Sequence, residues 1–253
     1  MSESGIVARL RAAGCVFAED EARILIESAP DPVSLAAMVE ERTGGLPLEH
    51  VVGWADFCGL RVAVGPGVFV PRHRTGLMVD VAAAAVRPGS VLVDLACGSG
   101  AVAAAVAARV AGLQIYAADI EPAAVESARR NLPYGRVFEG DLFAPLPVDI
   151  RGRVDVLVAN VPYVPTDAVD LLPPEARLHE PLRALDGGPD GLDMLRRVAG
   201  DAPRWLRPGG RLVSEIGIDQ IDTAKAVLAA ADLGPKIVSD DDRDATVVVG
   251  WAR

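Results

Sequence analysis

Aromatic residues are scarce in this sequence, and cysteines are few. Only 4% of the 253 residues are aromatic although 51% are hydrophobic, so Ala, Val and Leu supply most of the apolar material. The three cysteines, Cys15, Cys58 and Cys97, have neither the spacing of a metal site nor that of a redox pair. An odd number of cysteines also disfavours a disulfide framework, so a reducing, cytoplasmic setting is expected.

Long apolar runs and excess positive charge are missing as well. No stretch reaches the roughly 18–20 uninterrupted apolar residues of a membrane-spanning helix, and residues 1–11 contain no apolar signal core. The 35 acidic and 25 basic side chains leave a net charge of −10. This acidity disfavours stable nucleic-acid binding through a basic surface, although a basic cleft on an acidic body stays open. His50, His73 and His179 share no metal-ligand spacing, so no metal site is predicted.

The remaining pattern predicts three parts. Residues 1–50 show helical periodicity but too little apolar material for a core, which predicts a small helical N-terminal domain. Residues 51–73 alternate short apolar runs with glycines, as a β-hairpin connector does. From residue 74 to 253, strands and helices alternate, and two final strands flank an acidic turn. This order predicts an α/β domain with a mostly parallel sheet, helices on both faces and an antiparallel last strand.

A glycine-rich turn is the strongest local motif. Residues 91–100 read Val-Leu-Val-Asp-Leu-Ala-Cys-Gly-Ser-Gly, an apolar strand that enters a turn before a helix. Ligands of open α/β sheets bind at the carboxyl ends of strands, and Asp119, which ends the next strand, could accept hydrogen bonds from ribose hydroxyls. Three interpretations are open: an S-adenosylmethionine site, a dinucleotide site, since residues 98–103 also fit that loose pattern, and a structural turn. The order Asp94-x-x-x-Gly98-x-Gly100 resembles class I methyltransferases and favours the first.

A second motif, Asn160-Val161-Pro162-Tyr163, directly follows the apolar run 154–159. Asparagine presents a carbonyl acceptor beside an amide donor, residue 161 can present its backbone carbonyl, and Tyr163 offers an aromatic wall and a hydroxyl. Two such acceptors suit a planar, weakly nucleophilic NH2 group, whose two hydrogens they would hold. The alternative is an asparagine that only ends a strand before a proline turn.

This motif resembles the Asn-Pro-Pro-Tyr motif of methyltransferases that act on planar nitrogens. Two groups share it: amino-adenine methyltransferases of nucleic acids, and the HemK/PrmC family of protein glutamine methyltransferases. The wider sequence resembles the second group in four segments, in the family's order. These are 46–60, the Pro-Arg segment 68–72, the Glu-Pro…Gly-Gly…Asp-Gly segment 180–193, and Asp242-Arg243 with the last strand.

The resemblance implies a class I methyltransferase, Rossmann-like sheet that uses S-adenosylmethionine and releases S-adenosylhomocysteine. It places the donor's methionine end at the turn, its ribose at Asp119 and its adenine beside Asp141 and Leu142. Asn160 would touch both donor and acceptor, with Asn160 and Tyr163 as the catalytic pair. The acceptor implied is the glutamine of a Gly-Gly-Gln motif in a peptide chain release factor. The full set of expected donor contacts is Asp94, Ala96, Cys97, Gly98, Ser99, Gly100, Asp119, Ile120, Asp141, Leu142 and Asn160, and that of acceptor contacts is Asn160, Val161, Pro162, Tyr163 and Glu180.

Several positions depart from the family's pattern. Val161 replaces the first proline of the motif, and the segment after Pro71 reads Arg-His-Arg-Thr-Gly, with His73 and Gly76 in place of a proline and a glutamate. Leu142 stands where some members carry an aromatic residue. The backbone carbonyl at 161 survives, so methyl transfer stays the expected reaction. Three alternatives stay open: a paralogue that methylates another amide, amine or small molecule, an amino-adenine methyltransferase, and a family member that binds without turnover.

Overall fold

The computed structural model describes residues 1–253, which begin with four helices. They are α1 (Glu3–Ala12), α2 (Ala18–Ser28), α3 (Pro32–Thr43) and α4 (Leu48–Val52). The side chain of Ser2 accepts from the Gly5 N–H and that of Asp31 from the Val33 and Ser34 N–H groups, so α1 and α3 begin with side-chain caps. The helices bury a small core of their own, formed by Ile6, Leu10, Ala18, Ala22, Leu25 and Val39.

A two-stranded antiparallel hairpin follows, with β1 (Trp54–Phe57) and β2 (Leu60–Ala63). Cys58 and Gly59 form its turn with φ of +52° and +79°, the left-handed pair that fits the twist of a two-residue hairpin. The hairpin packs on the core of the large sheet rather than on the helical core. The Asn131 carboxamide bonds both backbone groups of Ala63 and the carbonyl of Ser99, so it links β2 to the glycine turn. The domain boundaries at residues 50 and 73 stay a prediction.

The large sheet has seven strands in the spatial order β5-β4-β3-β6-β7-β9-β8. The first five run parallel, and β9 is antiparallel to both of its neighbours, which confirms the predicted fold class. Strand order reverses between β3 and β6, the point where ligands bind in open α/β sheets. The strands are β3 (Val91–Leu95), β4 (Gln114–Asp119), β5 (Arg136–Glu139), β6 (Val154–Ala159), β7 (Leu206–Ile216), β8 (Leu233–Asp240) and β9 (Ala245–Ala252).

Helices cover both faces of this sheet. Along β3, Leu92 points into one core while Val91 and Val93 point into the other, the alternation expected of a strand buried on both faces. One face is covered by α5 (Gly76–Ala83), α6 (Ala101–Arg109) and α7 (Pro122–Asn131). The other is covered by α9 (Asp193–Trp205) and α10 (Ile221–Ala230), while the short α8 (Pro174–His179) lies in the long connection after β6. None of the helices has the length and apolarity needed to cross a membrane.

The sequence predicts a helix at 190–206 that is stopped by Pro208-Gly209-Gly210 and is followed by a strand at 211–216, but this segment lies inside β7. Val154 pairs with Leu206 and Val156 with Arg211, so three extra residues bulge out of β7. Gly209 has a φ of +75°, and a Cβ on Gly210 would lie 2.7 Å from the Val154 carbonyl oxygen. The bulge therefore needs the same residues that end helices, and β7 begins five residues earlier than predicted.

Candidate active site

A cavity of about 800 Å³ opens at the carboxyl ends of β3, β4 and β6. Leu95 and Ala159 are register partners at the ends of β3 and β6, so the glycine turn and the Asn160 segment leave the sheet side by side. Most of the predicted site residues line this single cavity. They are Asp94, Ala96, Cys97, Gly98, Ser99, Asp119, Ile120, Asp141, Leu142, Asn160, Val161, Pro162 and Tyr163.

The glycine turn follows β3 in an unusual backbone conformation. Ala96, Gly98 and Gly100 have φ of +50°, +54° and +73°, which glycine adopts at little cost. Gly100 does not line the cavity, in contrast to its expected contact with the donor. A Cβ there would lie 2.9 Å from Leu132 Cδ1 and 3.2 Å from Ala128 Cβ. Gly100 is therefore required for the close packing of the turn against α7.

The Asp119 carboxylate joins two backbone segments of the site. One oxygen accepts from the Gly98 N–H at 2.8 Å and the other from the Glu121 N–H at 2.9 Å. Burial raises the pKa of this carboxyl group, while the backbone N–H groups act in the opposite direction. Asp119 thus holds the glycine turn against the start of α7, and it presents its remaining lone pairs to the cavity.

Asp94 is the most deeply buried acid of the site. Its carboxyl group accepts from the Ala103 N–H at 3.2 Å in the first turns of α6. Burial, with a smaller contribution from the negative charge of Asp119, raises its pKa to about 8. The raised pKa favours the protonated form, which can donate a hydrogen bond as well as accept one.

Asp141 and Leu142 form a further part of the wall after β5. Leu142 is buried and has a φ of +48°, an uncommon conformation for a residue with a branched side chain. The carboxylate of Asp141 accepts from Arg197 of α9 at 2.5 Å, and Arg197 itself lines the cavity. The charge of Asp141 is therefore balanced by Arg197, a residue that no sequence motif indicated.

Asn160 and Val161 present unused hydrogen-bonding groups. The Asn160 carboxamide lines the cavity and makes no hydrogen bond with the rest of the protein, and the Val161 carbonyl accepts none. Every other side-chain carboxamide near the site has protein partners, as Asn131 and Gln220 do. The Asn160 oxygen and the Val161 carbonyl are thus two neighbouring acceptors available to a ligand.

The Tyr163 hydroxyl, in contrast, is used by the protein itself. It donates to Glu215 Oε1 at 2.6 Å, and Arg74 Nε donates to the same oxygen at 3.1 Å. Burial, followed by the negative charge of Glu215, raises the pKa of the phenol. The hydroxyl is therefore bonded to Glu215, and the contact of Tyr163 with an acceptor stays a prediction. Tyr163 contributes its ring to the cavity wall.

Glu180 does not line the cavity, and its contact with an acceptor stays a prediction. Its buried carboxylate accepts from Arg72 Nη2 at 2.6 and 2.8 Å and from the Val70 N–H at 3.1 Å. The side chain is 1% exposed, and water cannot compete for these bonds. Glu180 anchors the segment before α5 to the connection after β6.

Sequence reasoning missed three residues that hold the Asn160 segment in place. They are Gly187, Gly191 and Gln220, and together they form what we call the clamp. A Cβ on Gly187 would lie 2.6 Å from the Pro162 carbonyl oxygen, and one on Gly191 would lie 2.2 Å from that of Tyr163. Gln220 Nε2 donates to the Tyr163 carbonyl at 2.8 Å and to that of Asp190 at 2.9 Å. The run Gly-Gly-Pro-Asp-Gly at 187–191 was the available signal for this close backbone packing.

Comparison with known proteins agrees with this architecture. Residues 65–169 match a family model described as ribosomal protein L11 methyltransferase (PrmA). A methyltransferase structure from Pyrococcus furiosus superposes with a TM-score of 0.58 at 16% identity, over 76% of this chain and 89% of that one. At this identity the superposition supports the fold alone, which is that of class I S-adenosylmethionine-dependent methyltransferases.

Two sequence relatives cover most of the chain. The release factor glutamine methyltransferase of Geobacter sulfurreducens is 37% identical over 227 residues, which span 87% of this chain and 79% of the relative. That of Gloeobacter violaceus is 41% identical over 204 residues, or 77% of this chain and 70% of the relative. Both alignments extend well beyond the 105 residues that the L11 methyltransferase model matches. The chain belongs to the family of release factor glutamine methyltransferases.

Proposed function

We propose that this protein transfers a methyl group from S-adenosylmethionine to the side-chain nitrogen of a glutamine in a peptide chain release factor, the glutamine of its Gly-Gly-Gln motif. The observation that carries the proposal is the pair of free acceptors, Asn160 Oδ1 and the Val161 carbonyl, beside the glycine turn. Membership of the family, whose relatives are named for this substrate, supports the choice of acceptor.

The residues of the cavity fit the donor. The left-handed turn at 96–98 exposes backbone to the methionine end, and the buried Thr75 hydroxyl on the same cavity wall has no partner in the protein. Asp119 keeps acceptor capacity for ribose hydroxyls. Leu142 and Ile120 offer apolar contacts for adenine, with Asp141 beside them. When bound, the donor supplies a methyl group on a positively charged sulfur, which is open to direct attack by a nucleophile.

The protein's own contribution is to hold a poor nucleophile in place. An amide nitrogen is weakly nucleophilic because its lone pair is delocalised into the carbonyl group. Asn160 Oδ1 and the Val161 carbonyl oxygen would accept hydrogen bonds from its two N–H groups. These bonds would orient the nitrogen toward the methyl group. Pro162 and the Tyr163 ring would cover the planar amide and exclude water. Proximity and alignment of this kind can lower a barrier by several kcal/mol, roughly 7–11 in the best intramolecular cases.

The test is methyl transfer from labelled S-adenosylmethionine to a purified bacterial release factor, with the modified residue identified by mass spectrometry. We expect one methyl group on the Gly-Gly-Gln glutamine. The matched control is the same release factor with that glutamine replaced by glutamate, which should take up no label. Labelling that disappears after nuclease treatment would support an amino-adenine acceptor instead, and label on a small molecule in a lysate would support a specialised paralogue.

A further inference from the structure

Three side chains at and just after the carboxyl end of β7 hold the acceptor segment, residues 159–163. Ser214 Oγ donates to the Ala159 carbonyl at 2.7 Å, Glu215 accepts from the Tyr163 hydroxyl, and Gln220 donates to the Tyr163 carbonyl. None of the three lines the cavity. They therefore act on the site through residues 159–163 rather than by contact with a ligand.

Glu215 differs from the other two because it is a buried acid with an incomplete set of partners. It is 2% exposed, and its Oε1 receives both the Tyr163 hydroxyl and Arg74 Nε. Its other oxygen, Oε2, is sealed from solvent and has no partner. A buried acceptor without a hydrogen bond destabilises a fold, and such groups in native structures call for an explanation.

Both buried polar atoms that lack a hydrogen bond belong to residues next to Arg74. Only one other buried side-chain nitrogen or oxygen atom of the protein lacks a hydrogen-bond partner, the hydroxyl of Thr75, which follows Arg74 in the chain. Arg74 also lies over the Tyr163 ring, with its guanidinium carbon 5.8 Å from the ring centroid. Glu215 thus holds the phenol at its hydroxyl and, through Arg74, at its face.

We propose that Glu215 is a positioning residue for the acceptor: by anchoring Tyr163 and Arg74 it sets the orientation of the aromatic wall against which the substrate amide lies. The hydroxyl of Tyr163 then serves as a tether and takes no part in proton transfer. This inference rests on the proposed function of the site. It assigns a role to a residue outside the cavity.

The physical consequence is a selective effect on the acceptor. Without Glu215 the Tyr163 ring can rotate, and a ring that is free to rotate aligns the amide less often. The glycine turn and Asp119, at the donor end of the cavity, share no hydrogen bond with Glu215. Loss of Glu215 should therefore lower kcat/KM for the release factor and leave the affinity for S-adenosylhomocysteine unchanged.

The experiment compares Glu215→Ala, Glu215→Gln, Tyr163→Phe and the double variant Glu215→Ala/Tyr163→Phe in steady-state assays with a release factor. Hydrogen bonds to charged groups support an expected loss of roughly tenfold or more in kcat/KM for Glu215→Ala, mainly as a higher acceptor KM. Glu215→Gln, which can still accept from the phenol, should recover part of it. The double variant should lose little more than the larger single effect, because both changes remove the same bond.

Thr246→Val is the matched control, since Thr246 is a buried polar residue of β9 that pairs with Ile216, the neighbour of Glu215. Calorimetry with S-adenosylhomocysteine gives the second readout. The inference is overturned if Glu215→Ala matches Thr246→Val in acceptor KM, or if the single effects add fully. If Glu215→Ala does not fold, an unchanged acceptor KM in Glu215→Gln overturns it. A wild-type protein that methylates no release factor would instead contradict the proposed function.

Discussion

Arg72 Nη2 donates to both carboxylate oxygens of Glu180, at 2.6 and 2.8 Å, and thereby joins segments that lie 108 residues apart. The two side chains differ in exposure: that of Glu180 is 1% exposed and that of Arg72 is 35% exposed. Removal of either partner therefore leaves the other in a different environment. Arg72 can turn to water, but Glu180 cannot.

This asymmetry predicts that Arg72→Ala destabilises the fold more than Glu180→Gln does. Arg72→Ala leaves the buried Glu180 carboxylate with a single hydrogen bond, from the Val70 N–H. We expect this to lower the free energy of unfolding by about 3 kcal/mol, as is typical when one partner of a buried ion pair is removed. Glu180→Gln keeps the volume of the side chain, and the Arg72 guanidinium that it leaves without a carboxylate reaches solvent. Urea denaturation at pH 7 measures both. Arg9→Ala, which breaks an exposed pair with Glu40, is the control and should change stability little.

The pH dependence of that difference has a definite sign. Burial already raises the pKa of Glu180 despite the opposing charge of Arg72, and loss of Arg72 raises it further. A carboxyl group whose pKa is higher in the folded state than in the unfolded state favours folding at low pH, and this contribution is lost as pH rises. The destabilisation by Arg72→Ala should thus be smaller at pH 5 than at pH 7. If Arg72→Ala lowers the free energy of unfolding equally at pH 5 and pH 7, Glu180 is not a buried carboxylate that has lost its charged partner.

The clamp on the acceptor segment supports a second prediction, made with a closely matched pair of glycines. Gly191 and Gly209 have φ of +76° and +75°, so alanine at either costs about 1–2 kcal/mol of backbone strain. A Cβ at 191 would lie 2.2 Å from the Tyr163 carbonyl oxygen, whereas one at 209 meets only the tip of Arg207 at 3.7 Å. Gly191→Ala therefore has to move the acceptor segment.

We expect Gly191→Ala to lose roughly 100-fold in kcat, the scale for misplacement by about 1 Å, and Gly209→Ala to keep near wild-type activity. Thermal unfolding of both variants separates this effect from global destabilisation. Equal activity in the two variants at temperatures where both are folded would show that the clamp does not position Tyr163.

Parallel strands made much of the site predictable. Ala96, Asp119 and Asn160 each end a strand or directly follow one, and the carboxyl ends of parallel strands meet at one edge. The alternation of apolar strands with helices predicted the sheet, and the glycine pattern predicted the turn. The contacts between side chains were not predictable in this way. The bond from Tyr163 to Glu215 spans 52 residues and depends on β7 lying next to β6.

Residues with two physical roles account for the other differences. Proline and glycine both end helices and permit bulges, so residues 208–210 fit either and only the pairing of β6 with β7 decides. Glu180 could line a pocket or hold an arginine, and its partner Arg72 lies far away in the chain. A glycine at position 100 allows the backbone to lie close to a ligand or to a helix. In the structure it lies against Ala128 of α7 and Leu132.

A third prediction concerns Asn160, whose carboxamide makes no hydrogen bond within the protein. Asn160→Ala removes an acceptor for the substrate amide without breaking any bond of the fold. We expect at least a 100-fold loss of kcat, by analogy with the removal of one polar group that orients a reacting centre, and an unchanged unfolding temperature. Gln114→Ala, which removes an exposed carboxamide at the opposite end of β4, is the control. Full activity in Asn160→Ala would contradict the proposed acceptor site.

The fourth prediction follows from Asp94, whose pKa burial raises to about 8 from an ordinary value near 3.8. Between these two pH values the folded protein holds a proton that the unfolded chain releases, so stability falls as pH rises through this window. Asp94→Asn keeps the shape and removes the titration. We therefore expect the unfolding free energy of the variant, relative to wild type, to increase between pH 5 and pH 8. The upper limit is about 1.4 kcal/mol per pH unit.

Urea denaturation of both proteins at pH 5, 6.5 and 8 gives this difference directly, because every other titrating group is common to the two. Asp119 is the neighbouring acid whose charge adds to the shift, and Asp94→Asn leaves that charge in place. If the difference in unfolding free energy does not change with pH, Asp94 is ionised in the folded protein. The glycine turn would then rest on a buried carboxylate rather than on a neutral acid that can donate a hydrogen bond.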